Sequence, residues 1–261
     1  MGELYEPKLK YMTYGIILAA GSGKRMKTKQ KKQFISINGK PILIYSLEKF
    51  FKIKDIDVLV LVINNEDKNN IIINNIIKKY NNYITKNKLY IITGGKERYD
   101  SVYNAINFID QVYGINKLDN VLIHDSARPN TEIDDIKELL KSLKKYKAIT
   151  LGYKLSDSIK QIKSSNGNSV KEVIKSVNRD EYYLISTPQG FNLELLYDCY
   201  KKYYNDKSNF KILKNKKANI ITDDLQIIEY YSKYKTYILD SSRLNLKITV
   251  QDDLNMVKYL L

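Results

Sequence analysis

A small-residue loop after the first apolar run has the composition of a phosphate-binding site. The segment AAGSGKRM, residues 19–26, places Gly21 and Gly23 between that run and a basic stretch. Glycines in such a loop let backbone N–H groups approach a phosphate closely. Arg25 and Lys32 would add positive charge where phosphate charge develops. This combination suits nucleotidyl transfer, in which a triphosphate is held while its α-phosphorus is attacked.

Two common phosphate-binding motifs do not fit this loop. The nucleoside-triphosphatase loop needs G-x-x-x-x-G-K-[ST], but Lys24 is followed by Arg25. The dinucleotide fingerprint G-x-G-x-x-G needs a glycine where Met26 stands. A surface glycine turn with solvated lysines remains the alternative, and the segment GSG alone does not distinguish it from a polyphosphate site.

The overall composition is that of a globular protein with an excess of positive charge. The chain has 261 residues, of which 43% are hydrophobic and 28% charged, with a formal net charge of +15. This charge admits a basic nucleic-acid-binding protein as an alternative function. The lysines are spread along the whole chain, however, and no zinc-finger or RNA-binding motif occurs. We therefore expect no nucleic acid partner.

Hydropathy and the rare residue types exclude further classes. The longest apolar runs, such as residues 58–63, are far shorter than the ~20 residues that span a bilayer. The N-terminal residues lack the apolar core of a signal peptide, so we expect a cytoplasmic protein without membrane contact. The single cysteine, Cys199, and the single histidine, His124, exclude an internal disulfide and a structural zinc site. Cys199 lies in an apolar-patterned helix and is expected to be a buried bystander.

Strand-like and helix-like runs alternate along most of the chain. Buried strands such as YGIILAA and DVLVLVIN are followed by segments with helical spacing such as PILIYSLEKFF. The order predicts an α/β fold with a mostly parallel sheet flanked by helices, in a single domain over residues 1–261. Thr131 is expected to be the N-cap of a helix, and NLKIT, residues 245–249, to be a late strand.

The alternation is interrupted between residues 157 and 179. Two segments of alternating polarity flank Asn166-Gly167, which is a strong hairpin signal. Their few apolar residues cannot support an independent domain. We expect a β-arm that projects from the core and packs against something else, for which a partner subunit is one candidate.

Eight segments in order resemble one family within the sugar-nucleotide pyrophosphorylase superfamily, the 2-C-methyl-D-erythritol 4-phosphate cytidylyltransferases. They are AAGSGKRM with KKQF and GKPIL, then GGKERYDSV, HDSARP, DSIK, VNRD, TPQGF, TDD and NLKIT. Together they cover nearly all of the chain after residue 14. The resemblance implies a Rossmann-like α/β fold, CTP and Mg²⁺ or another divalent metal, and a homodimer joined by the β-arms.

The resemblance also implies roles for individual residues. The loop residues Ala19, Ala20, Gly21 and Gly23 would bind the nucleotide, and Arg25, Lys32 and Lys247 would be catalytic. Cytosine would be recognised at Gly95 and Ser101, and Asp125 would lie near the ribose and hold the metal. Ser158 and Arg179 would bind the sugar phosphate of the neighbouring subunit.

The chain departs from the family pattern at two positions. Lys31 stands where the family usually has proline, so that two lysines compete for the triphosphate role, and the segment KQF favours Lys32. Leu244 stands where some members have an acid before the Asn-x-Lys stretch. His124 is interpreted as structural, because a phosphomonoester nucleophile is already ionised and needs no base.

The implied reaction joins CTP and 2-C-methyl-D-erythritol 4-phosphate to give 4-diphosphocytidyl-2-C-methyl-D-erythritol and pyrophosphate. A ribitol-5-phosphate cytidylyltransferase is the alternative within the same fold, since it shares most of the motifs. A catalytically dead nucleotide-binding regulator is disfavoured, because Arg25, Lys32, Asp125, Arg179 and Lys247 are all present.

Overall fold

The computed structural model describes residues 11–26, 30–86, 88–163, 169–208 and 221–261. Within these ranges a large sheet is covered by helices. Its strands are β1 (Thr13–Ala19), β4 (Val58–Ile63), β5 (Leu89–Thr93), β6 (Asn120–Asp125), β7 (Ala148–Lys154), β10 (Tyr183–Asn192) and β11 (Tyr237–Asp240). Shorter strands are β2 (Ser36–Ile37), β3 (Lys40–Pro41), β8 (Ile159–Ile162) and β9 (Val173–Val177). The α-helices are α1 (Ile42–Phe51), α2 (Ile71–Lys79), α3 (Asn81–Thr85), α4 (Arg98–Tyr113), α5 (Ile133–Ser142), α6 (Leu193–Ser208), α7 (Leu225–Tyr231) and α8 (Gln251–Lys258).

The strand order of the large sheet is β11-β7-β10-β6-β1-β4-β5. All neighbouring pairs are parallel except those of β10, which runs antiparallel to β6 and β7. The predicted mostly parallel α/β fold is therefore confirmed. The chain leaves β1 toward β4 on one side and later returns to β6 on the other, so β1 and β6 form the switch point at which such sheets bind ligands.

Alternate residues of the central strands enter two separate cores, one on each face of the sheet. Ile16 and Val60 pack with residues of α4 and α6, whereas Ile17 and Leu61 pack with residues of α1 and α5. This division follows from the two-residue period of a strand, which sends successive side chains to opposite faces. Both faces are apolar because both are covered, as is usual for parallel sheets.

A smaller core fixes the C-terminal segment beside the first loop. Met26, Ile42 and Ile248 pack in it with Leu254 and Val257 of α8. The cluster therefore joins the end of the chain to the segment that follows β1.

Two local predictions are wrong. Residues 245–249 are not a strand but an irregular segment outside the sheet, with Ile248 N–H donating to Ala127 O at 2.9 Å. Helix α5 begins at Ile133 with Glu132 as its N-cap. The hydroxyl of Thr131 instead donates to Asn245 Oδ1 at 2.8 Å, so a tertiary contact has replaced the expected cap.

Two antiparallel strands, β8 and β9, occupy the region of residues 157–179 where the alternation is interrupted, and they lie outside the large sheet. Ile159 of β8 lies opposite Val177 of β9. The predicted turn at Asn166-Gly167 lies outside the described residues. In the part of the chain that the structure describes, no helix has the length and apolar character needed to cross a membrane.

Candidate active site

A cavity of about 540 Å³ lies at the carboxyl ends of β1, β4, β5 and β6. Parallel strands bring the segments that follow them to one edge of the sheet, which explains why residues distant in sequence meet here. The lining includes every residue predicted to bind the nucleotide or to be catalytic: Ala19, Ala20, Gly21, Gly23, Arg25, Lys32, Gly95, Ser101, Asp125 and Lys247.

The loop after β1 forms one wall and is held from behind by Gln33. The buried side-chain amide of Gln33 donates to Ala19 O at 2.8 Å and to Gly21 O at 3.1 Å. Gly23 has a φ of +66°, a conformation that side chains disfavour. At Gly21, a Cβ would meet no heavy atom within 4 Å, so the backbone there is open to a ligand.

Lys32 lies in a short 3-10 helix, Lys32–Phe34, and its ammonium group is fixed at the cavity wall. Its Nζ donates to Ile248 O at 2.8 Å, in the segment that carries Lys247. Burial and the nearby charge of Lys247 lower the pKa of Lys32 to about 8, with Asp125 acting in the opposite direction. A cation held in this way favours binding of an anion, since the anion would relieve the repulsion.

Lys31 takes a different course from its neighbour. Its Nζ pairs with Asp67 Oδ1 at 2.7 Å and with Glu66 Oε2 at 3.5 Å. Because these contacts tie Lys31 to the segment after β4, the position that departs from the family pattern does not compete with Lys32 for the cavity.

Asp125 stands at the end of β6 among three cations. Lys247 Nζ lies 2.7 Å from Oδ2, Arg98 Nε lies 3.3 Å from Oδ1, and Arg128 Nε lies 3.8 Å from Oδ2. Despite burial, which would raise it, the pKa of Asp125 is held well below its usual range by Arg98, Lys247 and Arg128. The carboxylate is thus ionised at neutral pH and orders the cations around it.

His124 is fully buried next to this carboxylate but does not line the cavity. Its Nδ1 lies 3.1 Å from Thr187 Oγ1, which also accepts the Asp125 N–H at 3.0 Å. Burial lowers the pKa of His124 to about 3, so the ring is neutral. This environment supports the structural interpretation of His124.

The residues of the wall predicted to recognise cytosine hydrogen-bond and pack closely with one another. The Gly95 N–H donates to Ser101 Oγ at 3.1 Å, and the Ser101 hydroxyl donates to Glu97 O at 3.1 Å. A Cβ on Gly94 would lie 2.6 Å from Ser101 Oγ and 2.7 Å from Ala20 Cβ, which leaves no room for a side chain. The remaining lone pair of Ser101 and the carbonyl of Gly95 are therefore the groups this wall could offer a base.

The irregular segment around Lys247 is anchored by polar contacts rather than by a sheet. Arg128 Nη1 donates to Asn245 O at 2.8 Å, and the buried Asn245 amide donates to Thr187 O at 2.9 Å. These bonds hold the segment that carries Lys247 beside Lys32, whose Nζ donates to Ile248 O, without requiring a strand.

Taken together, the cations, the glycine loop and the size of the cavity suit a nucleoside triphosphate. The family model of 2-C-methyl-D-erythritol 4-phosphate cytidylyltransferase matches residues 13–261. The chain belongs to this cytidylyltransferase family.

Relatives and solved structures agree with the family assignment. A 2-C-methyl-D-erythritol 4-phosphate cytidylyltransferase of Clostridium botulinum (strain Eklund 17B) is 36% identical over 249 residues, covering 95% of this chain and 99% of the relative. One of Clostridium kluyveri is 39% identical over 242 residues, covering 92% and 93%. The crystal structure of 4-diphosphocytidyl-2C-methyl-D-erythritol synthase from Anaerococcus prevotii is 28% identical, with a TM-score of 0.73 and 96% of each chain covered.

The two residues expected to bind the sugar phosphate do not join the cavity of this single cytidylyltransferase chain. Ser158 and Arg179 lie exposed at the base of the β8–β9 pair, and neither lines the cavity. Arg179 Nη1 contacts Ser156 O, and its Nε lies 4.0 Å from Asp180 Oδ1. That these two residues bind the acceptor in a neighbouring subunit stays a prediction.

Sequence reasoning missed Arg98, Arg128 and Gln33, each of which shapes the site. All lie inside segments that carried the family resemblance, namely GGKERYDSV, HDSARP and KKQF. The resemblance alone could have pointed to them, since an arginine within a glycine-rich phosphate site is a candidate ligand or ion-pair partner. Among the described residues, Arg98 Nη2 is buried and its two N–H groups have no hydrogen-bond partner.

Proposed function

We propose that this chain transfers the cytidylyl group of CTP to 2-C-methyl-D-erythritol 4-phosphate and releases pyrophosphate. The observation that carries the proposal is the convergence of Arg25, Lys32 and Lys247 on one nucleotide-sized cavity, in a chain of this family. A site built for a neutral ligand would not collect like charges at this density.

The chemistry follows from positioning and charge. A phosphate oxygen of the acceptor attacks the α-phosphorus of CTP in line, and pyrophosphate leaves. Lys32, Lys247 and Arg25 offset the negative charge that develops on the phosphates. A preorganised donor of this kind lowers the barrier by about 3–4 kcal/mol, by comparison with the loss of one oxyanion-hole donor. The acceptor phosphate is already ionised, so the neutral, buried His124 has no proton to remove.

The residues present are compatible with Mg²⁺ bound together with substrate. Among the described residues, no group of three or more His, Cys, Asp or Glu side chains could hold a metal by itself. Mg²⁺ is commonly bound through one or two carboxylates plus substrate phosphates, and the ionised Asp125 in the cavity wall provides one carboxylate. Mg²⁺ held at Asp125 would add positive charge beside the phosphates.

We further propose that the active unit is a homodimer joined through the β8–β9 arm. The arm exposes Ile162 (47%), Val170 (83%), Val173 (54%) and Ile174 (56%). Ile162 and Val173 lie opposite each other in the two strands, and neighbouring exposed apolar side chains can mark an interaction site. In this arrangement Ser158 and Arg179 bind the phosphate of the acceptor in the neighbouring subunit, with Arg179 donating two N–H groups at once. We place the enzyme in the cytoplasm.

The test is pyrophosphate release with CTP and Mg²⁺, comparing 2-C-methyl-D-erythritol 4-phosphate with D-ribitol 5-phosphate as acceptor. Release with the first acceptor is expected. Release only with the second would assign the chain to ribitol phosphate activation on the same fold. No release with either acceptor would overturn the proposed activity and revive the regulator alternative.

A further inference from the structure

A chain of hydrogen bonds runs from helix α6 to the floor of the active site. The Tyr200 hydroxyl donates to Asp224 Oδ1 at 2.6 Å, and Arg98 Nη1 donates to Asp224 Oδ2 at 2.7 Å. Arg98 Nε in turn lies 3.3 Å from Asp125 Oδ1. Each oxygen of Asp224 thus has its own partner, and Arg98 spans two carboxylates.

The end of this hydrogen-bond network that lies farthest from the cavity is completely buried. Tyr200 and Asp224 are both 0% exposed, and Tyr200 does not line the cavity. The Asp224 N–H donates to Gln189 Oε1 at 2.9 Å, which fixes the backbone of the carboxylate. Burial and the charge of Asp224 raise the pKa of Tyr200 well above its usual value, so the phenol is a permanent donor.

We propose that Tyr200 is a positioning residue for the nucleotide, acting through Asp224 and Arg98 on Asp125. The inference rests on the proposed function, because it assigns Asp125 and Arg98 to the nucleotide side of the site. The phenol competes with Arg98 for the charge of Asp224. It thereby leaves the guanidinium shared between Asp224 and Asp125 instead of drawn to Asp224 alone.

Removal of the phenol oxygen changes this balance without removing the ring. In Tyr200→Phe, Asp224 Oδ1 loses its donor in a buried setting, where an unpaired charged acceptor is costly. Arg98 already donates to the other oxygen of Asp224 and is placed to satisfy it, and movement of the guanidinium would release Asp125 Oδ1. Asp125 would then be held on one side only, by Lys247 and Arg128.

The helix provides a matched control one turn away. Tyr197 also lies on α6, and its hydroxyl donates to Asp110 Oδ2 of α4 at 3.1 Å. Neither Tyr197 nor Asp110 lines the cavity. Tyr197→Phe therefore removes the same atom from the same helix, and a similar bond to an aspartate, without touching the site.

The experiment measures steady-state kinetics and calorimetric CTP affinity for wild type, Tyr200→Phe and Tyr197→Phe. For Tyr200→Phe we expect kcat/KM for CTP and CTP affinity to fall roughly tenfold, the scale of one hydrogen bond to a charged group. The KM for the acceptor at saturating CTP should stay unchanged. General loosening of the fold would instead raise the KM for the acceptor as well as weaken CTP binding. Equal losses in the two variants, or none in Tyr200→Phe, would overturn the inference.

A double-mutant cycle with Asp224→Asn keeps the test decisive if Tyr200→Phe loses stability. The effects of substitutions in one hydrogen-bond network are not additive. Tyr200→Phe should therefore cause little further loss of CTP affinity in the Asp224→Asn background. Full additivity would overturn the inference. If the wild type releases no pyrophosphate, the proposed function fails by itself, and the CTP affinities of the same variants still decide the role of Tyr200.

Discussion

Two adjacent lysines differ in what their side chains contact, and this difference gives a direct test of the triphosphate role. Lys32 lies at the cavity wall with its Nζ on Ile248 O, whereas Lys31 is paired with Asp67. We expect Lys32→Ala to lower kcat by on the order of 10²–10³-fold, as for the loss of one preorganised donor. The measurement is pyrophosphate release together with circular dichroism to show that the fold is intact.

Lys31→Ala is the matched control, since it removes the same charge one residue away. It breaks the ion pair with Asp67 and should cost stability rather than turnover. Wild-type turnover in Lys32→Ala would exclude the proposed role of Lys32, and a large loss in Lys31→Ala would mean that the two lysines have been assigned in the wrong register.

The lowered pKa of Lys32 predicts an alkaline limb in the pH profile. Burial and Lys247 lower this pKa to about 8, so the free enzyme loses the Lys32 charge as pH rises through that value. We expect kcat/KM for CTP, which reports the free enzyme, to fall above pH about 8. Lys32→Arg, which stays charged, should lose this limb even if its absolute rate is lower. A limb unchanged in Lys32→Arg would show that another group titrates.

The lowered pKa of Lys32 also makes the free energy of unfolding depend on pH, in the direction opposite to that of activity. The unfolded chain keeps a lysine of ordinary pKa, 10.5, so between about pH 8 and 10.5 it binds more protons than the folded chain at this site. The Lys32 contribution to the free energy of unfolding therefore rises with pH in this window and is unfavourable below it. Activity and the stability contribution of this residue thus change in opposite directions.

Sequence reasoning identified the residues of the cavity wall better than those that hold them. Lys32, Asp125 and Lys247 were identified from the resemblance, and the structure brings them together. Arg98 was not singled out, because its role depends on Asp224, which is 126 positions away in the chain. A pairing at that separation is set by tertiary packing and leaves no mark in local spacing.

The strands and long helices could be predicted because burial imposes a regular spacing on their apolar residues. Strand β4, whose residues are all buried, reads as an uninterrupted apolar run, and α1 lies within the predicted helical segment PILIYSLEKFF. The segment around Lys247 misled this approach. Its apolar residues Leu246 and Ile248 alternate as in a strand, but they pack into the small core beside α8 rather than against a neighbouring strand.

The β8–β9 arm exposes an apolar side chain that a dimer contact would bury. Ile174 is 56% exposed on β9, so a charge there should leave the chain fold intact while opposing burial of the arm against a second subunit. We expect Ile174→Asp to be monomeric by light scattering and to show a KM for the acceptor raised roughly tenfold or more, the scale of losing one charge-assisted hydrogen bond. The affinity for CTP should change little.

Met256→Asp is the control for that prediction, since Met256 is also 56% exposed but lies on α8. It should keep the oligomeric state and the acceptor KM of the wild type. A wild-type chain that is already monomeric at working concentration, or an Ile174→Asp variant that stays dimeric, would exclude the arm as the dimer contact.

Among the residues that the structure describes, the cavity collects several of the positive charges of the molecule, including Arg25, Lys32 and Lys247. The formal net charge is +15, and several of the described lysines form exposed pairs with acids, such as Lys137 with Asp134. In the cavity, by contrast, burial and the repulsion from Lys247 lower the pKa of Lys32. This repulsion between Lys32 and Lys247 is unfavourable in the free protein, and a bound polyphosphate would offset it.

Binding of CTP without acceptor should therefore raise the melting temperature. At a CTP concentration of 100 times Kd, linkage gives about 2.7 kcal/mol of stabilisation, which corresponds to a rise of several degrees for a domain of this size. Differential scanning calorimetry with CTP and Mg²⁺ measures the shift, and Lys32→Ala should reduce it. Because the contacts are ionic, added salt should also reduce it. A duplex DNA or RNA that stabilised the wild type more than CTP, to the same extent in Lys32→Ala, would instead locate the functional charge on the outer surface and favour the nucleic-acid alternative.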